Sequence, residues 1–255
     1  MSREPWYDLT VLLGSALFRA IDLRLDVEGV EHVPTAGPAV IAANHVGFLD
    51  FMTIAAAGRE RGRNVRFLCR HDVWTSRVAR RAMTGMRHVP VDRAAPAAAY
   101  LAARRLLREG EVVAVFPEAG ISHSFTIRSL MVGAAALARE TGAPLVPAVQ
   151  WGTQLVASPG RRPSAHRGRP VDLRFSPPVD VPAGADLRAV TDTLGHALTR
   201  DLEDLQRRQH HVPARGSDAW WYPAHLGGAA PDRVASAPKD VVPRSAVTPT
   251  WGPGV

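Results

Sequence analysis

The chain predicts an α/β fold: a mixed, largely parallel sheet flanked by helices, with an amphipathic helix at the N-terminus. Three observations predict it. Over residues 23 to 209, apolar runs of strand length alternate with longer, alanine- and leucine-rich stretches of helical length. The run Glu111-Val112-Val113-Ala114-Val115-Phe116 is almost continuously apolar, the mark of a strand buried on both faces beside a parallel neighbour. Leu23 to Glu28 alternates apolar and charged residues, the period-two pattern of a half-exposed strand.

The elements follow in order. Residues 1 to 22 form the amphipathic helix, with Trp6 and Tyr7 near one end and Arg19 and Asp22 near the other. Its apolar centre, Leu9 to Phe18, has ten residues, against roughly 20 needed to span a bilayer. Without a small-residue cleavage site, it is not expected to be a signal peptide. Two placements fit it equally: flat in a membrane interface, or packed on the core of its own domain. After the strand at 23 to 28, Gly29 and Pro34 to Pro38 turn the chain into a second strand, Ala39 to Ala43. A helix from about Leu49 to Gly58, a strand Val65 to Cys69, a helix Trp74 to Thr84 and a short strand His88 to Val91 come next. Ala94 to Glu109 is a helix closed by Gly110. Glu111 to Phe116 is the next strand, Leu130 to Glu140 a helix ending at Gly142, and Leu145 to Trp151 a further strand. A loop from Ser158 to Pro170 carries Arg161, Arg162, His166, Arg167 and Arg169. Val171 to Phe175 is the last strand, and Asp186 to Gln209 an amphipathic helix with Leu187, Val190, Leu194, Leu198, Leu202 and Leu205 on one face. Residues 23 to 226 form one domain. Trp220-Trp221-Tyr222 anchors either on that domain or in a lipid interface. Glycine, proline, serine and alanine without periodicity predict a disordered tail over residues 227 to 255.

Composition removes several function classes. The 255 residues are 46% hydrophobic with net charge +7, and mean hydropathy near zero excludes a polytopic membrane protein. Cys69 is the sole cysteine, so no intrachain disulfide and no cysteine-rich metal site can form. It reads as a core residue. Nearly all the positive charge is arginine, which binds phosphate bidentately. That suits an anionic lipid or a phosphorylated small molecule. No zinc-finger spacing, helix-turn-helix or aromatic-interleaved basic stripe supports a nucleic-acid partner. No metal or bound cofactor is expected.

Chemistry collects at strand ends. The strand Ala39 to Ala43 runs into Asn44-His45-Val46-Gly47-Phe48-Leu49-Asp50. A histidine there, with a carboxylate one short turn later, makes a general base: one ring nitrogen takes a proton, and the carboxylate fixes the tautomer through the other. Active sites of α/β folds gather at the carboxyl ends of strands. The segment Gly85 to Arg93 ends in an arginine before a helix start, where an anion can be held. The strand at 111 to 116 opens into Pro117-Glu118-Ala119-Gly120-Ile121-Ser122-His123-Ser124, a carboxylate and a glycine turn. His123 is a rival base, but no carboxylate follows it at comparable spacing.

Taken in order, these stretches resemble the acyltransferases that act on glycerol phosphates and lysophospholipids, typified by 1-acyl-sn-glycerol-3-phosphate acyltransferase. The first pattern of that family, Asn-His-x4-Asp, is matched by Asn44, His45 and Asp50. The second, a glycine-led segment closing on Val/Ile-x-Arg, is similar to Gly85 through Val91-Asp92-Arg93. The third is Phe-Pro-Glu-Gly-Thr-Arg-Ser. Here Phe116, Pro117, Glu118 and Ser122 match, while Ala119, Gly120 and Ile121 replace Gly-Thr-Arg. The fourth, an apolar Val-Pro-Val type strand, is similar to Val146-Pro147-Ala148-Val149.

The resemblance implies that His45 acts as general base, oriented by Asp50, on a hydroxyl that attacks the thioester of an acyl-CoA or acyl carrier protein. It implies that Arg93 binds the acceptor's phosphate, and that Glu118 belongs to the acceptor site or holds basic side chains there, with Gly120 in the same turn. Because Ile121 stands where the family carries arginine, Arg128 and Arg70 are named from charge and loop position as substitutes. The expected reaction acylates lysophosphatidic acid to phosphatidic acid in phospholipid biosynthesis, at the cytoplasmic face of the cell membrane. Two alternatives stand beside it: the same chemistry on another lysophospholipid or a glycolipid, and a non-catalytic membrane lipid-binding protein.

Overall fold

The computed structural model describes residues 4–92, 94–240 and 251–252. Strands β1 (Arg24–Glu28), β2 (Ala39–Ala43), β3 (Val65–Arg70), β4 (Val89–Val91), β5 (Val112–Val115), β6 (Leu145–Trp151) and β7 (Pro170–Phe175) form one sheet in the order β1-β7-β6-β2-β5-β3-β4. From β6 through β4 every pairing is parallel. β7 runs antiparallel to β6, and β1 lies parallel to β7 at the outer edge. The sheet is therefore mixed and largely parallel, as the sequence predicts.

Helices α1 (Pro5–Ala20), α2 (Asp50–Glu60), α3 (Arg77–Gly85), α4 (Pro96–Arg108), α5 (Gly133–Thr141) and α6 (Leu187–Gln206) cover it. β2 shows why its sequence is continuously apolar. Val40 and Ala42 enter a core with Leu107, Leu137 and Leu194 of α4, α5 and α6. Ala39, Ile41 and Ala43 enter the opposite core with Ile54 of α2 and Phe67 of β3. With both faces buried, no position along the strand is left for a polar side chain.

One side of the N-terminal helix packs on its own domain, one of the two expected placements. Tyr7 is buried, and its hydroxyl accepts from the Val65 N–H at 2.9 Å. Just before the helix, Glu4 pairs with the buried Arg66 at 2.6 Å, and Glu111 pairs with the same guanidinium at 3.0 Å. A buried arginine is tolerable only when paired in this way. On the other side Leu9, Leu12, Leu13 and Leu17 are exposed. No helix among the described residues is long and apolar enough to cross a membrane.

Three predicted boundaries shift for local reasons. The helix expected from Trp74 begins as a separate 3-10 turn, His71–Trp74. α3 then starts at Arg77, because the Ser76 side chain caps it by accepting from the Ala79 N–H. α5 begins at Gly133 rather than Leu130, whose N–H is taken by the Trp251 carbonyl at 2.8 Å. The helix expected to reach Gln209 ends at Gln206, and a 3-10 turn follows at Gln209–His211.

The expected disordered tail needs correction for its described part. Residues 227–240 fold back on the domain and include a short helix, α7 (Arg233–Ser236). Arg233 donates to the Ile127 carbonyl, and Asp240 pairs with His123 and Arg128. Trp251 packs where Gly195 lacks a side chain, since a Cβ there would lie 2.3 Å from the indole. A few anchors hold this segment without periodicity, which is why its composition reads as disorder. Trp220 and Trp221 pack against Phe125 and Trp151, so this aromatic cluster anchors on the domain.

Candidate active site

The strands β2, β5 and β6 lie side by side, and their carboxyl ends bring three loops together. The first is the turn from β2 into α2. Asp50 is fully buried in the first turn of α2, where a negative charge is favoured. Its Oδ2 accepts from His45 Nδ1 at 2.8 Å, the Val46 N–H at 2.7 Å and the Gly47 N–H at 2.9 Å. The Thr153 hydroxyl, just beyond β6, donates to Oδ1. Donors on both oxygens hold the Asp50 side chain in one orientation. Its contact occupies the Nδ1 side of the His45 ring. The His45 side chain is 20% exposed.

Gly47 is required by close approach. A Cβ there would lie 2.9 Å from the Thr153 carbonyl carbon and 3.0 Å from Ala157 O and Gln154 N. Asn44 is buried and extends the sheet rather than facing a ligand. Its side chain donates to the Gln150 carbonyl at 3.1 Å and accepts from the Gln150 N–H at 2.8 Å.

The loop after β5 grips His45 on three sides. The Phe116 ring stacks on the imidazole, with centroids 4.2 Å apart and planes 17° from parallel. Glu118 Oε1 accepts from the His45 N–H at 2.9 Å, and the Ser122 N–H donates to the His45 carbonyl at 2.8 Å. The other Glu118 oxygen accepts from the Arg128 N–H at 3.0 Å. Burial pushes this carboxyl up to about 7, against the pull of those N–H groups and of Arg128. Glu118 is fully buried, with both oxygens committed to main-chain donors. It joins the two loops, and it does so through backbone rather than through basic side chains.

Arg128 is buried against the same turn. Its guanidinium donates to the Glu118 carbonyl at 2.6 Å, lies 3.3 Å from where a Cβ on Gly120 would sit, and pairs with Asp240 at 3.0 Å. Asp240 also accepts from the His123 ring at 2.8 Å, so the rival base has a carboxylate after all, from the distant tail. Ala119 holds φ +57°, a left-handed conformation that glycine adopts more easily.

The fold thus gathers His45, Asp50, Glu118, Gly120 and Arg128 into one cluster. Arg70 is exposed at the end of β3 and paired with Asp72 at 2.5 Å, and among the described residues no hydrogen bond or ion pair joins it to that cluster. Arg93 lies outside the described residues. Cys69 behaves as a core residue, its thiol pushed up to about 12 by burial. Sequence reasoning missed Thr153 and Asp240. The signal for Thr153 was a hydroxyl just past a strand end, while Asp240 carried none.

Comparisons with known proteins give the family and the fold. Residues 24–151 match the protein family described as Acyltransferase. The chain is 30% identical over 141 residues to the chloroplastic 1-acyl-sn-glycerol-3-phosphate acyltransferase of Arabidopsis thaliana, covering 54% of this chain and 38% of the relative. It is 28% identical over 188 residues to 1-acyl-sn-glycerol-3-phosphate acyltransferase alpha of Mus musculus, covering 72% and 65%. The chain therefore spans well under half the length of the plant relative. Among solved structures, the 1-acyl-sn-glycerophosphate acyltransferase PlsC of Thermotoga maritima superimposes with a TM-score of 0.67 at 21% identity, over 79% of this chain and 80% of that one. The likeness is one of fold.

Proposed function

The chain belongs to the acyltransferase family, and from that premise we propose that it moves a fatty acyl group from an acyl-CoA or acyl carrier protein thioester to the hydroxyl of lysophosphatidic acid, giving phosphatidic acid. The observation that carries this is the contact of His45 Nδ1 with the buried Asp50 at 2.8 Å. His45 Nε2 takes the proton of the acceptor hydroxyl as its oxygen attacks the thioester carbonyl. Asp50 stabilises the imidazolium that forms. The tetrahedral intermediate expels the thiolate, which takes the proton back from His45 and leaves as the thiol. No acyl-enzyme is needed. The positioned base contributes roughly 10²–10⁴-fold, and alignment of the two substrates contributes further. Glu118, Phe116 and Ser122 act on the reaction only through the placement of His45. Arg93, on the family pattern, binds the acceptor's phosphate.

A membrane surface as the source of acceptor is supported by what surrounds the site. Phe48 and Phe51, in and beside the turn that carries His45, are 52% and 39% exposed. Leu9, Leu12, Leu13 and Leu17 expose an apolar stripe on α1, which packs on α2 and α3. Arg77, Arg80 and Arg81 of α3 are exposed, suited to anionic headgroups. The proposed location is peripheral, at the cytoplasmic face of the membrane.

A second reading keeps the chemistry and changes the acceptor to another lysophospholipid or a glycolipid. One observation favours it: Ile121 replaces the family's arginine, and Arg128, the nearest substitute, is already paired with Asp240. The test is thioester release by the purified protein with lysophosphatidate and with a panel of other lysophospholipids and glycolipids. Turnover greatest with lysophosphatidate supports the first reading. Turnover only with another acceptor supports the second.

A further inference from the structure

A cavity of about 330 Å³ opens beside the loop that follows β6, a size suited to a small-molecule site. Its walls include Gln154, Ser158, Arg161, Arg162, Arg169 and Trp220. Three buried polar atoms of these residues have no hydrogen-bond partner: Gln154 Nε2, Ser158 Oγ and Arg169 Nε. Gln154 and Ser158 are 1% and 3% exposed. The amide of Gln154 cannot be reversed to remove the problem, because its Oε1 accepts the Gly152 N–H at 2.8 Å. The free end is therefore the NH₂ group. The Arg169 Nη2 is used on Ser164 at 3.0 Å, which leaves Nε over. Buried polar groups without partners are costly and rare. Here all three can donate, and the residues that carry them line one cavity.

The charge has the same bias. Burial pulls Arg169 below the usual guanidinium value with no carboxylate opposing it. Arg161 sits over the Trp220 ring at 4.4 Å instead of on an acid. A cavity lined by three arginines with unused hydroxyl and amide donors calls for a ligand rich in acceptors. Phosphate esters fit it best, since arginine binds them in bidentate fashion.

Position selects which phosphate. β2, with His45 at its end, lies between β5 and β6. In the reading above the acceptor's phosphate goes to Arg93, which follows β4 in sequence, and β4 lies on the β5 side of β2. The cavity is on the β6 flank, one residue beyond Thr153, whose hydroxyl holds Asp50. A transfer between two substrates needs two sites flanking the base. We propose that this cavity binds the phosphate ester of the acyl donor's carrier, the moiety shared by coenzyme A and the phosphopantetheine arm of a carrier protein. The assignment of donor rather than acceptor rests on the acyl-transfer reading, but its test needs no turnover.

Calorimetric titration of the full chain uses coenzyme A, 4′-phosphopantetheine and glycerol 3-phosphate as probes. The variants are Arg162→Gln, an exposed position whose replacement leaves the fold intact, and Arg169→Gln. Coenzyme A or phosphopantetheine should bind the unmodified protein. Losing one charge-assisted hydrogen bond should weaken that binding about tenfold or more in at least one variant, while glycerol 3-phosphate binding stays unchanged. Absence of binding by both carriers overturns the proposal. So does carrier binding of unaltered affinity in both variants, or a loss confined to glycerol 3-phosphate, which would give the cavity to the acceptor. If acyl transfer to lysophosphatidate fails while carrier binding responds as expected, the acceptor reading falls and the cavity stands.

Discussion

Asp50→Asn is the substitution that separates charge from shape at the site. The amide is nearly isosteric with the carboxylate, and its oxygen can still accept from the Val46 and Gly47 N–H groups that Asp50 holds at 2.7 and 2.9 Å. The negative charge that faces the imidazolium when His45 takes a proton is lost. Two unit charges about 4 Å apart attract by about 4 kcal/mol at an effective dielectric of 20. At about 1.4 kcal/mol per decade, kcat should fall about 10³-fold. KM for both substrates should stay within a factor of about three, because Asp50 is fully buried and touches neither. Folding stability should fall by about 1–3 kcal/mol, the cost of an acceptor lost among buried donors. The assay is steady-state thioester release, with thermal melting to confirm that the variant is folded. A folded variant keeping more than about a tenth of wild-type kcat would refute an electrostatic role for Asp50 and leave it as a clamp on the turn.

Other substitutions test the surroundings. Glu118→Gln keeps one acceptor but turns an amide donor toward the N–H of either His45 or Arg128. Denaturant unfolding should show a loss of about 1–3 kcal/mol, with kcat reduced more than acceptor KM. A pure rise in acceptor KM would return Glu118 to the substrate. Since the Glu118 carboxyl sits near 7 when folded and ordinarily titrates at 4.5, the unfolded chain gives up this proton first. The stability of wild type relative to Glu118→Gln should therefore decline as pH rises from about 4.5 to about 7; a flat difference contradicts the burial argument. Ala119→Gly should raise stability by about 0.5–1 kcal/mol, because a left-handed non-glycine residue costs about 1–2 kcal/mol and glycine returns part of that as chain entropy. A lower Tm would show that the Ala119 methyl group matters more than its φ of +57°. Leu12→Gln with Leu13→Gln, both on the exposed side of α1, should leave Tm nearly unchanged and reduce flotation with anionic liposomes about tenfold or more. Undiminished flotation would move membrane contact elsewhere.

Much of the fold was legible because the sheet's apolar runs are unambiguous. β5 reads as a strand buried on both faces and is so, and β2 reads as an apolar strand and is buried along its whole length. Gly110 and Gly142 read as helix stops and hold positive φ at those ends. Strand order was not legible, since it is set by crossover connections and not by local pattern. Nor was the reversal of β7 against β6. At the site, His45 and Asp50 could be paired from spacing because they share one turn. Glu118 could be located but not given its partners, which lie 73 residues away at His45 and ten away at Arg128, both through main-chain N–H groups. Backbone donors leave no side-chain signature. Asp240 was invisible for a different reason: it acts as a single anchor in a segment whose average composition says disorder. Arg161 and Arg169 were legible as positive charge in a loop, but the unpartnered Gln154 and Ser158 that turn that charge into a cavity appear only in three dimensions.

The central claim is that His45 removes the acceptor's proton directly, without an acyl-enzyme. It is tested most directly by following labelled acyl-CoA and lysophosphatidate with the wild-type chain and with folded His45→Ala. The account predicts labelled phosphatidic acid from the wild type, a fall of at least about 10²-fold in the variant, and no label bound covalently to the wild-type protein in the absence of acceptor. Substantial phosphatidic acid from His45→Ala, or a stoichiometric acyl-protein in the wild type, would contradict it.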